Sequence, residues 1–189
     1  MRQKVQSSSV RMTKARLSDA LVELLITKPV REISVRELTH MAMVSRGTFY
    51  FHYADIYDLL NQVEQVEIDH LNDLLDHLLP QLDIETPPPA LQALFEYIDA
   101  NTDICTALLG PYGDTAFIRR LESVIRERCL GYLAADGTAT ELQTYLIAFA
   151  AQGCFGAVET WLASGKQTSI AQMTAMTWQA IRAVRNAPQ

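Results

Sequence analysis

The sequence predicts an all-α protein of about nine helices, and three observations support this fold class. Apolar residues recur at helical spacing through most of the 189 residues. No stretch keeps the strict apolar–polar alternation of a half-buried strand. Proline and glycine mark several boundaries between the helical stretches, as in Lys28-Pro29 and Gly110-Pro111.

The first predicted helix covers about residues 12–27. Its apolar positions follow the i, i+3, i+4, i+7 rule and form one face: Leu17, Ala20, Leu21, Leu24 and Leu25. Lys28-Pro29 ends the helix, because a residue that precedes proline is disfavoured in the α conformation.

Two short helices are predicted next. Ser34 and Glu37 match a capping box, in which the serine hydroxyl and the glutamate carboxylate each accept a free N–H group at the helix start. Ser45 is the predicted N-cap of the following helix, which runs to about Tyr53. A longer helix followed by two short helices and a tight turn is a helix-turn-helix arrangement, so residues 1–53 are predicted to form one domain.

The remaining residues, 54–189, are predicted to form a second helical domain. Asp55 caps a long helix that runs to about Leu79, and Pro80 ends it. The segment "QLDIETPPPA" is a linker. Further helices are predicted at about 89–102, 104–109, 114–134, 139–164 and 168–186.

Charge is divided unevenly between the two parts of the chain. Residues 1–52 carry a net charge of +5, whereas residues 53–189 carry −11. A basic end can neutralise phosphates, and an acidic remainder is repelled by them and so helps to fix orientation. The asymmetry favours a basic contact module on an acidic body, with an accidental distribution of surface charge as the alternative.

The cysteines and the absence of membrane and enzyme motifs narrow the class of protein. Cys105, Cys129 and Cys154 are few and lack metal-ligand spacing, so small buried hydrophobes in a reduced cytoplasm are favoured over redox sensors. No apolar run approaches the ~20 residues that span a bilayer, and no membrane partner is expected. Nucleophile-elbow, nucleotide-loop and zinc-protease motifs are missing, so no catalytic residue and no enzyme activity are expected.

A histidine- and aspartate-containing stripe on the long helix is the one pattern that suggests a metal. A solvated, charge-paired face is the favoured interpretation, so neither a metal nor another cofactor is expected. The stripe consists of Asp69, His70, Asp73 and His77.

The short third helix has the composition of a DNA-reading surface. At about 100° per residue, Phe49 turns toward the core while the other side presents Arg46, Gly47, Thr48, Tyr50 and Phe51. An arginine can donate to guanine or phosphate, and glycine lets the backbone approach closely. Threonine can meet a base edge and tyrosine a phosphate. The alternative, aromatics folded back onto the long helix, leaves the arginine and the glycine unexplained.

The stretch from Thr13 to Leu60 resembles the DNA-binding domain of the TetR/AcrR family of transcriptional regulators, and "VSRGTFYFHYAD" is close to that family's recognition-helix signature. The resemblance implies a homodimer of nine-helix subunits whose first three helices bind an operator. By position, it implies DNA or phosphate contacts for Thr13, Ser34, Val35, Ser45, Arg46, Gly47, Thr48, Tyr50, Phe51 and His52.

Two residues depart from the family pattern. Met43 stands where the family turn usually has glycine, and a left-handed residue would strain methionine, so a differently shaped turn is expected. Ile56 stands where the long helix usually begins with a phosphate-binding lysine. The basic arm is expected to compensate: Arg2, Lys4, Arg11, Lys14 and Arg16. Without that lysine, "HYADIYDLL" resembles regulators related to activators of dihydroxyacetone kinase operons.

The resemblance also implies a C-terminal ligand pocket and a dimer interface on the last two long helices. Candidate ligand contacts are Phe95, Ile98, Leu108, Tyr112, Phe117, Leu121, Tyr145 and Phe149, each of which can equally be a core residue. Candidate dimer contacts are Phe155, Val158, Leu162, Met173, Thr177 and Ile181, with an ordinary core face as the alternative.

The expected function is transcriptional regulation in the cytoplasm, as a ligand-responsive repressor that binds a near-palindromic DNA operator as a homodimer. An unidentified small-molecule effector would move the dimer off DNA by favouring a conformer with the wrong spacing of recognition helices. Two alternatives remain: a coregulator of the same fold that binds a protein partner, and an activator of a nearby operon.

Overall fold

The protein is helical throughout the residues that its computed structural model describes, 8–81, 85–135 and 141–185, and no strand occurs among them. The all-α prediction is therefore confirmed. The nine α-helices in these ranges are α1 Ser8–Thr27, α2 Val35–Met41, α3 Arg46–His52, α4 Ile56–Leu78, α5 Pro89–Ala100, α6 Thr102–Leu109, α7 Thr115–Ala135, α8 Glu141–Ala163 and α9 Ile170–Arg185.

Local hydrogen bonds fix the start of two of these helices. Ser34 Oγ accepts the N–H of Glu37 at 3.2 Å, as predicted for the N-cap of α2. The Glu37 carboxylate also binds Lys28 Nζ at 2.6 Å, which ties the end of α1 to α2. Lys28 and a hydrogen bond from the Ser34 backbone N–H, the second half of the capping box, both lower the pKa of Glu37. Asp55 Oδ1 accepts the N–H of Asp58 at 2.8 Å and caps α4.

A first hydrophobic core joins the helix-turn-helix to the C-terminal part of the chain. α1 packs on α2, α4 and α6, and α4 packs on α7. The core contains Leu17, Leu21, Leu38 and Phe49 from the first three helices, together with Leu59, Leu108, Phe117 and Leu121. Because one apolar cluster crosses the predicted boundary near residue 53, a movement in the C-terminal helices can reach the helix-turn-helix.

A second core lies among the later helices, where α5 packs on α9 and α8 packs on both α7 and α9. The Phe95 and Trp161 rings meet edge to face with centroids 5.6 Å apart. Each tryptophan also has a polar partner: Trp161 Nε1 donates to the carbonyl of Thr168 at 2.7 Å, and Trp178 Nε1 donates to the carbonyl of Glu85 at 3.1 Å. These bonds let both rings be buried without an unpaired N–H.

Helix α8 is apolar on every side. Glu141 and Glu159 are its only charged residues. Among the helices in the described ranges, it alone is long and apolar enough to cross a membrane by length and composition, although Gln143, Gln152 and Glu159 interrupt its apolar run. Three of its large side chains, Leu142, Tyr145 and Phe149, are exposed on the surface of the subunit.

Candidate nucleic-acid interface

A buried phenylalanine and a serine cap hold the short helix α3 in place. Ser45 Oγ accepts the N–H of Thr48 at 3.0 Å and lies 2.8 Å from the Thr48 hydroxyl, which fixes the first turn. Phe49 is fully buried, and the Tyr50 and Tyr53 rings pack against it with centroids 5.3 and 5.7 Å away. The helix therefore presents its remaining side chains from a rigid base.

The outer side of α3 is open to solvent. Tyr50 is 52% exposed and Phe51 81% exposed, so the alternative in which these rings fold back onto the long helix is wrong. Arg46 is exposed and has no ion-pair partner among the residues described. A Cβ on Gly47 would meet only Ser45 Oγ, at 3.7 Å, which leaves the surface beside the arginine free for a close approach.

The turn between α2 and α3 keeps a left-handed residue. Met43 has φ 53° and its side chain is 85% exposed. The backbone N–H groups of Met43 and Val44 donate to the carbonyls of His40 and Thr39 at 3.2 and 3.0 Å, which closes the turn. The expectation that methionine changes the shape of the turn is therefore wrong, because Met43 adopts the left-handed conformation itself.

The residues predicted to contact the DNA backbone are placed less uniformly. Helix α1 extends further toward the N terminus than predicted, so Thr13 is not at its start, and its hydroxyl donates to the carbonyl of Ser9 at 3.0 Å. Ser34 is exposed at the N terminus of α2, whereas Val35 is half-buried against the first core. His52 is half-buried at the end of α3 and meets the Phe51 ring at a centroid distance of 5.0 Å.

A lysine from α1 stands beside the first turns of α4. Lys14 Nζ lies 5.4 Å from the centroid of the Tyr53 ring and 3.4 Å from Gln62 Oε1. Ile56, at the position where a lysine is usual in the family pattern, is buried. Arg11 and Arg16 are exposed on α1, and Arg2 and Lys4 lie outside the described residues.

The predicted ligand residues do not line one cavity. Phe95 and Ile98 belong to the second core, while Leu108, Phe117 and Leu121 belong to the first. Tyr112, Tyr145 and Phe149 are exposed, the last two on the outer side of α8, so their assignment to an internal pocket is wrong.

A surface cleft between α4 and α7 contains none of these predicted ligand residues. Its volume is about 320 Å³, and it is lined by Leu75, Asp76, Leu79, Pro80, Glu127, Arg128, Gly131 and Tyr132.

The predicted dimer residues lie on the inner sides of α8 and α9. Val158, Met173 and Thr177 are buried within the subunit, so they are not available to a partner and this assignment is wrong. Phe155, Leu162 and Ile181 are half-buried and pack on the two cores. The apolar surface that is exposed on these helices belongs to Leu142, Tyr145, Phe149 and Met176.

A buried glutamate on α4 was missed in the sequence. Glu64 is 2% exposed, and its Oε2 accepts a hydrogen bond from the Arg120 guanidinium of α7, whereas its Oε1 has no hydrogen-bond partner within the described structure. Burial raises the pKa of the Glu64 carboxyl to about 7, although the Arg120 charge opposes the shift. The signal was present, because Glu64 stands at i+4 from Leu60 and i−4 from Ile68 on the apolar face of the helix.

One turn further along α4, Glu67 forms a second polar contact. The Tyr97 hydroxyl of α5 donates to both Glu67 oxygens, at 2.8 and 3.1 Å, and the His70 ring lies against Tyr97 with centroids 4.8 Å apart. Burial raises the pKa of the nearby Cys105 thiol to about 12, so this thiol stays protonated. Within the described ranges, no group of three or more His, Cys, Asp or Glu side chains is placed to hold a metal ion.

Comparison with known proteins identifies the chain's relatives. Residues 85–183, more than half of the chain, match a family model described as a transcriptional regulator C-terminal region. No curated protein matches the chain in sequence.

Several solved structures are similar in fold. The dihydroxyacetone kinase operon activator DhaS shares 16% identity over 92% of this chain and 94% of that one, with a TM-score of 0.58. NalD, the secondary repressor of the MexAB-OprM multidrug efflux pump in Pseudomonas aeruginosa, shares 17% over 91% and 96%, with a TM-score of 0.65. A TetR-like transcriptional regulator from Rhodococcus sp. RHA1 shares 16% over 98% and 100%, with a TM-score of 0.66. At these identities, the similarity establishes a common fold.

Proposed function

Because the chain belongs to the TetR family of transcriptional regulators, we propose that it binds a double-stranded DNA operator as a homodimer in the cytoplasm and controls the neighbouring genes, as a ligand-responsive repressor. The observation that carries the proposal is the outer side of α3. There Arg46, which has no ion-pair partner in the part of the chain that the structure describes, a gap at Gly47 and two exposed aromatic rings stand on a helix fixed by buried Phe49.

Each exposed group on α3 has a partner in the major groove. Arg46 donates to guanine or to a phosphate, and Gly47 lets the helix come close enough for it to do so. Phe51 contacts a thymine methyl, because an exposed apolar ring gains by covering one, and the Tyr50 hydroxyl donates to a phosphate. The Ser45 and Thr48 hydroxyl oxygens keep lone pairs that can accept hydrogen bonds from the DNA bases. Each hydroxyl can also rotate to donate to a phosphate of the DNA backbone.

Contacts with the DNA backbone come from the elements around α3. Ser34 and Val35 at the start of α2, together with Thr13 and His52, position the domain. Lys14 takes the role of the missing lysine at position 56, because its ammonium group already stands beside the first turns of α4. The net charge of +5 on residues 1–52 favours this end of the subunit over the acidic remainder.

Dimerisation covers the outer side of α8. Burial of a single phenylalanine side chain such as Phe149 is worth about 1.5–3 kcal/mol, so a stripe of three large apolar residues strongly favours a partner helix over water. Gly153 and Gly156 add room, since a Cβ on either would meet nothing within 4 Å. A two-fold dimer places the two α3 helices about 34–36 Å apart, one turn of DNA, and requires a near-palindromic site.

The C-terminal part, residues 54–189, holds the effector site and the dimer interface, and the protein acts without catalysis. Regulators of this fold work in both directions, since DhaS is an operon activator and NalD is a repressor. The position of the operator relative to the promoter decides which direction applies, and activation of a nearby operon is the alternative.

Binding to the DNA that flanks the protein's own gene tests the proposal. Fluorescence anisotropy across a salt series is expected to show affinity that falls log-linearly with salt. Arg46→Ala should weaken binding by about 1–3 kcal/mol, whereas Arg31→Ala removes another exposed cation of the same basic part, one that pairs with Glu32, and should change affinity far less.

The opposite results would reject DNA binding as the function. Absent or salt-insensitive DNA binding, with a specific protein captured by the exposed Met43 and Phe51 side chains, would favour the coregulator alternative. Equal losses for Arg46→Ala and Arg31→Ala would show that α3 does not read the DNA.

A further inference from the structure

The carboxylate of Glu64 is incompletely satisfied in the folded subunit. It is nearly inaccessible to solvent, and among the described residues only one of its two oxygens has a partner, the Arg120 guanidinium. A buried carboxylate oxygen without a hydrogen-bond donor is unfavourable, so such a group is kept in a stable protein for a reason other than packing. When Glu64 is ionised, the missing partner must be a hydrogen-bond donor.

The surroundings of Glu64 carry more negative than positive charge. Asp114 raises the pKa of the Glu64 carboxyl electrostatically, and Glu67 stands one turn further along the same helix. Arg120 is the one cation whose contact with Glu64 is seen in the described structure, and His70 lies 3.6 Å from Glu67. Three carboxylates against one guanidinium would attract a cation and repel an anion.

Apolar and aromatic groups complete the site. Leu108, Phe117 and Leu121 belong to the same hydrophobic core as Leu60, Val63 and Ile68, the apolar residues of this part of α4. The Phe117 ring already faces a cation, because the Arg120 guanidinium lies 5.7 Å from its centroid. An apolar body with one cationic nitrogen would match both the rings and the free oxygen.

We propose that the contact between α4 and α7 around Glu64 binds the effector, and that the effector is an apolar molecule with an ammonium, amidinium or guanidinium group that donates to Glu64 Oε1. The inference deepens the proposed function by giving the class of effector, and it rests on that function for its regulatory consequence. Helix α4 connects the cap at Asp55 with the C-terminal helices, so a ligand that draws Glu64 away from Arg120 changes how α4 packs on α7.

Isothermal titration calorimetry on the full chain without DNA tests the site. Three probes share one apolar body and differ in charge: 4-phenylbutylamine, 4-phenylbutanol and 4-phenylbutyrate. The wild-type protein is expected to bind the amine at least about tenfold more tightly than the alcohol, with the acid weakest, because an opposite charge at Glu64 gains a charge-assisted hydrogen bond. Glu64→Gln should abolish the preference.

Asp73→Asn is the matched control. Asp73 is exposed on the same helix about two and a half turns further, on the opposite side, so this variant removes the same charge and should keep the preference for the amine. A readout on wild-type protein covers the case in which Glu64→Gln does not fold. Amine binding near neutral pH should release protons, measured in buffers of different ionisation enthalpy, because a bound cation lowers the raised pKa of Glu64.

Several outcomes would overturn the inference. The inference is wrong if the amine does not bind, or if the alcohol or the acid binds as tightly as the amine or more tightly. It is also wrong if the preference survives Glu64→Gln, or if the amine binds to the wild type without proton release. Titration of Glu67, His70, Tyr97 or Cys105 instead of Glu64 would appear as proton release that persists in Glu64→Gln. DNA binding is measured separately, so its failure with an intact amine preference would reject the proposed function alone.

Discussion

Replacement of Met43 by glycine is expected to stabilise the protein. The left-handed conformation at φ 53° costs an L-residue about 1–2 kcal/mol, whereas glycine adopts it freely. Glycine loses about 0.5–1 kcal/mol through its greater freedom in the unfolded chain. The methionine side chain is 85% exposed, so little buried area is lost. The free energy of unfolding should therefore rise by about 0.5–1 kcal/mol.

Urea unfolding and thermal melting followed by circular dichroism measure this change. For a chain of this length, the gain corresponds to a rise in Tm of about 1–4 °C. Met12→Gly is the matched control, because Met12 is also exposed but lies inside α1 with helical dihedrals. The same substitution there should lower the free energy of unfolding by about 1 kcal/mol.

Lys166→Gly separates backbone strain from side-chain contacts. Lys166 has φ 59°, but its Nζ also binds Asp99 Oδ1 at 2.5 Å and Thr102 Oγ1 at 2.9 Å. The gain from relief of strain should therefore be offset there. If Met43→Gly instead unfolded more easily than wild type, strain at a left-handed residue would not be what limits stability in this turn.

Three further predictions concern α8, Glu64 and α4. Phe149→Glu should convert a dimer into a monomer in light scattering, because it places a carboxylate in the proposed interface. Gln92→Glu on α5 should leave the mass unchanged. A dimer that tolerates Phe149→Glu would place the interface elsewhere. The pKa of Glu64, raised by burial to about 7, means that ionisation opposes folding. In urea titrations, the free energy of unfolding of the wild type should thus fall by about 2–3 kcal/mol relative to that of Glu64→Gln as the pH rises from about 5 to about 8. A difference between the two proteins that stays constant with pH would mean that Glu64 is already ionised at the lower pH. Asp55→Ala should destabilise the protein by about 1 kcal/mol in the same assay through loss of the N-cap bond to Asp58, and an unchanged midpoint would show that tertiary packing alone fixes the start of α4.

The N-terminal helices could be predicted closely because their signals are local. Ser34, Ser45 and Asp55 each accept the N–H of the residue three positions later, as their positions before an apolar-periodic stretch predict. Glu37 also has a partner that these local signals do not predict, Lys28, which the fold brings close from the end of α1. A charge-assisted contact of this kind depends on tertiary packing and is not visible in the local sequence.

The two sides of α8 were assigned the wrong way round. Tyr145 and Phe149 were predicted to face a ligand and Val158 to face a partner subunit, but the structure exposes the first two and buries the third. Periodicity places apolar residues relative to one another, and on a helix that is apolar all round it does not select the inward side. That choice is made by α7 and α9, against which α8 packs.

Stabilisation of the protein by an effector at the proposed site does not by itself show that the effector releases DNA. A ligand at about 100 times its Kd stabilises the conformer it binds by about 2.7 kcal/mol. An amine that reaches Glu64 equally well in the free and the DNA-bound conformers would raise the Tm without releasing DNA, because only differential affinity moves the equilibrium. Glu64 is held by Arg120 across the contact between α4 and α7. A difference in the amine's affinity between the free and the DNA-bound conformers would therefore come from a difference in the strength of the Glu64–Arg120 pair. Arg120→Lys, which keeps the charge but loses the planar donor geometry, should therefore alter release of DNA by the amine more than it alters binding of the amine itself.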